Sequence, residues 1–135
     1  MADALTERIE AAFARADEKL CVARKVLEAG FPAEAVPPAY YACFHVAEAA
    51  LSLEGISPRT HEGLKAAFGL HFIKTGRLST ELGSILRELK DERENGDYSL
   101  FPAITIADAE RAVAMAERFV GALREFVQSV QLDAI

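Results

Sequence analysis

Among the side chains that hold charge or exchange protons, those whose type and spacing invite a chemical reading are Arg93, Asp97, Tyr98, three histidines and two cysteines. Arg93 carries a permanent cation with a planar donor fork suited to phosphate. It continues the apolar stripe Leu82, Ile85, Leu86, Leu89 and precedes Gly96 and Tyr98. A purely structural role is also open to it, with its stem laid over the core and its charge at a helix C-terminus near Asp97. His45, His61 and His71 do not stand at the HExxH spacing that holds zinc, and no Glu-x-x-His segment of the di-metal bundle type occurs. No metal and no cofactor is therefore read from the sequence. Cys43 stands two residues before His45, which on a helix turns the two apart and rules out a thiol–imidazole dyad. Neither Cys43 nor Cys21 belongs to a CxxC pair, so both are expected to be reduced thiols in the core. Phosphate loops and GxGxxG turns are missing too.

Those residues need elements to hold them. The chain has 135 residues, about half of them apolar and 27% charged, which suits a single globular domain spanning residues 1–135. A net charge of −6 and a pI near 5.1 oppose broad, non-specific binding to nucleic acid, so any such contact must be local. The N-terminus opens on Asp3, Glu7 and Arg8 rather than on a basic segment and an apolar run, and a cytoplasmic location is expected. The richest apolar stretch, Ala39 to Leu51, holds His45 and Glu48 and is too short to span a bilayer, so no membrane role is read.

Helical spacing runs through the whole chain. Leu5, Ile9, Phe13, Ala16, Leu20, Ala23 and Leu27 share one face of a first helix, capped by Asp3 and ended by Gly30, Phe31 and Pro32. Pro37 and Pro38 suit the first turn of a second helix, apolar on several sides, whose semi-polar stripe is Tyr41, His45, Glu48 and Ser52. Thr60 and Glu62 open a third helix with Leu64, Phe68 and Phe72 on its core face. A fourth begins near Ser79 or Thr80 and is expected to end at Asn95, Gly96 and Asp97, leaving Tyr98 in a loop. Thr105 and Asp108 form a capping box before a fifth helix with Ala109, Val113, Ala116, Val120, Leu123, Val127 and Val130 on its core face. No segment alternates as a strand does. The reading is all-α, an up-and-down bundle of four to five helices.

Four segments in order, Tyr40-Tyr41-Ala42-Cys43-Phe44-His45, Thr60-His61-Glu62-Gly63, Phe72-Ile73-Lys74-Thr75-Gly76 and Arg93-x-x-Gly96-Asp97-Tyr98, together resemble the HEPN domain over about residues 5 to 130. The resemblance implies a helical bundle that forms a homodimer and often pairs with a minimal nucleotidyltransferase, as in toxin and antitoxin modules. In ribonuclease branches of that family an arginine precedes a catalytic histidine by four to six residues. Arg93 matches the arginine, whereas Tyr98 stands where the histidine is expected, and a phenol of ordinary pKa about 10 is a poor base near neutrality.

The resemblance thus places a site for nucleotide or RNA phosphate around Arg93, Asp97 and Tyr98, with Tyr41, His45 and His61 as the other side chains to line it. Three functions follow as expectations. One is a helical subunit beside a nucleotidyltransferase, which has in an exposed Tyr98 hydroxyl a group to modify. Another is a metal-independent endoribonuclease in which Arg93 stabilises phosphate charge and Tyr98, His45 or His61 handles protons. The last is a non-catalytic dimerisation module.

Overall fold

The computed structural model describes the backbone of residues 3–98 and 104–133 and the side chains of 3–91 and 104–133. Five α-helices carry them, with no strand among the described residues: α1 Ala4–Glu28, α2 Pro32–Leu53, α3 His61–Phe68, α4 Thr80–Tyr98 and α5 Ile106–Asp133.

The caps act where the sequence puts them. Asp3 Oδ1 accepts the Thr6 amide at 2.7 Å, and Thr60 Oγ1 accepts that of Gly63 at 2.8 Å. Thr105 and Asp108 exchange backbone-to-side-chain bonds of 3.1 Å in both directions, the reciprocal pattern of a capping box. At the end of α1, Gly30 takes φ +94° and the Phe31 amide folds back to the Val26 carbonyl at 3.1 Å. The Phe31 side chain does not follow it and stays exposed.

Helix α2 starts at Pro32, five residues before the expected prolines, and Pro37 and Pro38 lie inside it. Pro32 occupies the first turn, where a missing amide costs nothing. Pro37 and Pro38 deprive the carbonyls of Ala33 and Glu34 of their helical donors. Glu34 is exposed and Ala33 only half-buried, so water can reach those oxygens, while Ala35, Val36, Ala39 and Tyr40 are buried and hold both sides of the interruption to the core.

The fourth helix also exceeds its expected length. Its backbone continues through Asn95, Gly96 and Asp97 to Tyr98, which therefore closes a helix instead of lying in a loop. Gly, Asn and Asp each disfavour a helix by about 1 kcal/mol or less and forbid nothing. The first residue that lacks an amide donor is Pro102.

Helix α2 is central. It packs against α1, α3, α4 and α5, and its Ala35, Ala39, Ala42, Ala47, Ala49 and Ala50 are buried. Asp17 of α1 pairs with Arg124 of α5 at 2.6 Å, and Arg24 bridges Glu117 and Glu110, both at 2.6 Å. As α1 numbers rise the α5 partners fall, so these helices run antiparallel. Glu81 pairs with Arg118, tying the start of α4 to the middle of α5, and Arg77 pairs with Glu54 at the end of α2. The end of α4 thus lies at the same end of the bundle as the start of α5, the end of α1 and the start of α2.

Between α3 and α4 the helix widens into a π turn, Gly69–Ile73, closed by the Lys74 amide on the Gly69 carbonyl at 2.8 Å. It delivers the buried Phe72 ring to Phe68 at 5.5 Å and Phe126 at 5.2 Å between centroids.

Two expectations follow for measurement. Cys43 is wholly buried with its thiol pushed up by desolvation, but Cys21 is exposed, contrary to the expectation of two core thiols, because it lies off the Phe13–Ala16–Ala23 face of α1. A thiol reagent will titrate one equivalent in the native protein and two in denaturant. The hydrogen bonds from Arg24 hold the Glu117 carboxyl below its ordinary 4.5. That pairing stabilises the fold fully above the ordinary value and loses its effect as pH falls through the lowered one. Arg24→Gln will therefore destabilise the protein at pH 7, by about 1 kcal/mol at this half-exposed site, and the difference from the parent will fade as the pH drops well below 4.5, as followed by urea unfolding across pH.

Candidate functional site

His61 is the first residue of α3, held there by the Thr60 cap. Gly63 leaves the cap room, since a Cβ at that position would stand 3.0 Å from Thr60 Oγ1 and push the hydroxyl aside by a few tenths of an ångström. From this position the imidazole reaches across to α2. His61 Nδ1 and the Tyr40 hydroxyl are hydrogen-bonded at 3.0 Å, and with the phenol as donor the ring keeps its proton on Nε2. Phe44 lies against the imidazole at 4.5 Å between centroids, and Tyr41 meets it edge-on at 6.1 Å. Tyr40 is 2% exposed, so its phenol is core at the ring and polar at the tip. His61, Tyr41 and Phe44 are half-buried and form an aromatic wall with one imidazole set into it.

Glu62, the next residue, joins this wall to α4 through an ion pair with Lys90 and also meets Lys65 at 3.9 Å. Lys90 is largely sequestered, its side chain 14% exposed. Position 93 follows Lys90 by three residues, a rise of about 4.5 Å along the helix. The α4 backbone that carries Arg93, Asp97 and Tyr98 therefore leaves directly from the contact between α3 and α4. The side chains of these three residues lie outside the described ones.

His45 is placed elsewhere. Tyr41 and His45 are one turn apart on α2, as the expected stripe requires, but they serve different neighbours. Tyr41 joins the His61 wall, while His45 faces α1 across a cleft of about 300 Å³. Arg8 of α1, Glu48 and Ser52 of α2, and Ser57 of the following loop share that cleft, over a floor that includes Ile9. Burial, then the charge of Arg15, lowers the His45 pKa, Glu48 opposes this, and Lys19 adds to it. The imidazole is thus neutral at pH 7.

Phe44 as a ring against His61, the Glu62–Lys90 link and the Arg8 side of the second cleft were all missed by sequence reasoning. Phe44 reads as one more core residue of an apolar helix. Glu62 and Lys90 are far apart in the chain. Arg8, Arg15 and Lys19, at spacings of seven and four, are the one signal that a helical wheel of α1 would have offered. Among the described residues no group of His, Cys, Asp and Glu is arranged to hold a metal ion, and no helix is long and apolar enough to cross a membrane.

An antiparallel helical bundle wrapped on one alanine-rich helix, with a histidine-bearing aromatic wall beside the helix that carries Lys90 and Arg93, is a class of fold that the sequence segments above already suggested. The HEPN domain model matches residues 9–126, and the chain belongs to the HEPN domain family. It is 31% identical over 126 residues to a candidate toxin of Methanocaldococcus jannaschii, covering 93% of each chain. It is also 31% identical over 117 residues to a UPF0332 protein of Thermotoga maritima, covering 87% of this chain and 89% of that one. A second candidate toxin of M. jannaschii is 26% identical over 121 residues, 90% of this chain and 82% of its own.

The phenol–imidazole bond makes a direct expectation. Tyr40→Phe keeps the ring in the core and removes its bond to His61, and will lower stability by about 1 kcal/mol in urea unfolding with an unchanged denaturant slope.

Proposed function

We propose that this chain is the helical subunit of a toxin–antitoxin-like two-component module, that it forms a homodimer and pairs with a nucleotidyltransferase, and that it binds nucleotide or RNA phosphate around Arg93 and Tyr98. The observation that carries the proposed site is the Glu62–Lys90 pair, which brings α4 to the first turn of α3 one helical turn before Arg93. An arginine carried on that segment and a wall of rings with an imidazole at the α3 contact are the two things a nucleotide needs: a bidentate phosphate donor and flat faces for a base. Membership of the HEPN family and two relatives named as candidate toxins support the module reading.

A second reading, metal-independent cleavage of RNA, draws on one observation: His61 is a half-buried imidazole that Tyr40 orients. In that reaction His61 is the tautomer whose Nδ1–H donates to the Tyr40 hydroxyl, its free Nε2 takes the proton of a ribose 2′-hydroxyl, and the freed oxygen attacks phosphorus. The 5′-oxygen then leaves with the proton that the His61 imidazolium gives up, and Arg93 stabilises the charge that builds on the phosphoryl oxygens. His45 has no part in it, since it opens on another cleft.

The test combines binding and cleavage. Purification under native expression will return a nucleotidyltransferase with this chain, and its absence sinks the partner assignment. Arg93→Ala will weaken binding of a short oligoribonucleotide by on the order of tenfold or more, the worth of one charge-assisted phosphate contact. If the parent dimer also cleaves RNA without metal and His61→Gln abolishes this, the second reading takes over; if RNA stays intact, it falls.

A further inference from the structure

The cleft between α1 and α2 lies on a different part of the molecule from the site proposed above. Its rim residues Arg8, Ser52 and Ser57 sit toward the start of α1 and the end of α2, whereas the end of α4 is at the opposite end of the bundle. It is built from α1 and α2 alone with the loop that follows, so it stands or falls independently of Arg93.

Charge distribution makes this cleft unusual in the protein. Arg24, Arg77, Arg118 and Arg124 are each neutralised by a carboxylate, as an acidic chain easily arranges. Arg8, Arg15 and Lys19 share one flank of α1 and, among the described residues, make no ion pair. His45 faces these three from α2, together with Glu48, and Ser57 adds a hydroxyl from the loop. Beyond its burial, which disfavours the imidazolium most, His45 lies close enough to Arg15 and Lys19 for both to oppose its protonation, with Glu48 acting the other way. Arg8 and a ring donor line a concave space of about 300 Å³, and Arg15 and Lys19 follow Arg8 along the same flank of α1, close enough to act on His45, which together suit a divalent anion that brings further atoms with it. Glu48, an acceptor only, matches a hydroxyl or amino group on those atoms.

We propose that the α1–α2 cleft is a second phosphate site, in which Arg8 and Arg15 hold the phosphoryl group of a nucleotide, His45 donates to it and Glu48 accepts a proton from the sugar or base. The phosphoryl group comes either from a free mononucleotide or from the backbone of an RNA that crosses this face.

The test follows the His45 ring proton by NMR across pH in the full chain at fixed ionic strength. Inorganic phosphate replacing chloride will raise the His45 titration midpoint by about one pH unit, since a bound dianion favours the imidazolium. Arg8→Gln and Arg15→Gln, both on exposed parts of α1, will remove the response without disturbing the helical circular dichroism. Arg93→Ala will leave the response intact, which separates this site from the one on α4. Adenosine 5′-monophosphate and a short oligouridylate without terminal phosphates identify the source: a shift with the first alone means a free nucleotide, and a shift with the second means RNA backbone. A midpoint that inorganic phosphate, mononucleotide and oligouridylate all leave where chloride sets it overturns the proposal, as does a phosphate shift that survives both arginine substitutions.

Discussion

Helix α2 is packed by every other helix of the bundle, and that constraint decides the rest of the structure. A helix surrounded on all sides must be apolar all round, and its neighbours can approach only where its side chains are short. The buried alanines at 35, 39, 42, 47, 49 and 50 provide the short side chains, and Tyr40, Val46 and Leu51 fill the gaps between them. Polar residues on such a helix are confined to one narrow outward stripe. Beyond Glu34 in its first turn, whatever chemistry α2 contributes must therefore come from Tyr41, His45, Glu48 and Ser52, and from Tyr40 only through its hydroxyl tip.

Around that axis the long charged side chains set direction and register more than they add stability. Pairs between exposed groups are worth about 1 kcal/mol at most, yet Asp17–Arg124, the Arg24 fork and Glu81–Arg118 each join helices at matching heights. They lie on one flank of α1 and along α5. The opposite flank of α1 has no such partners, so the molecule has a neutralised side and a cationic side despite its overall negative charge. The potential that an anion meets near the surface is set by this local imbalance, whereas the net charge acts only at long range.

Much of the architecture was legible in the sequence because helices announce themselves through local chemistry. Asp3, Thr60 and the Thr105–Asp108 box cap the helices they precede, and the Leu82, Ile85, Leu86, Leu89 stripe is buried throughout. The errors arose where tertiary packing overrode a local preference. Pro37 and Pro38 read as a helix start because prolines are welcome there, but burial on both sides of them sustains a helix that began earlier. Asn95 and Gly96 read as a stop, yet a weak breaker cannot end a helix that nothing obstructs. Of the candidate site, sequence pattern named Tyr41, His45 and His61 together, whereas the structure sets Tyr41 beside His61 and turns His45 toward α1, since the stripe that Tyr41 and His45 share does not reveal which neighbouring helix faces each of them. Tyr40 stands in the apolar run of α2, and only the structure shows that its hydroxyl reaches His61.

The π turn at Gly69–Ile73 has a consequence for how the chain tolerates change in length. Leu64, Phe68 and Phe72 recur every four residues, slightly more than one α-helical turn, so a plain helix would carry Phe72 progressively off the line of Leu64. Bonding from residue i to i+5 widens the last turn, so that a four-residue step falls just short of a revolution and swings Phe72 back. Leu70, 55% exposed, is in effect the surplus residue. Remove one residue there and an ordinary α-helix returns the same phenylalanine to nearly the same bearing. The segment that feeds α4 can thus gain or lose a residue over evolutionary time while the interior keeps its aromatic contacts.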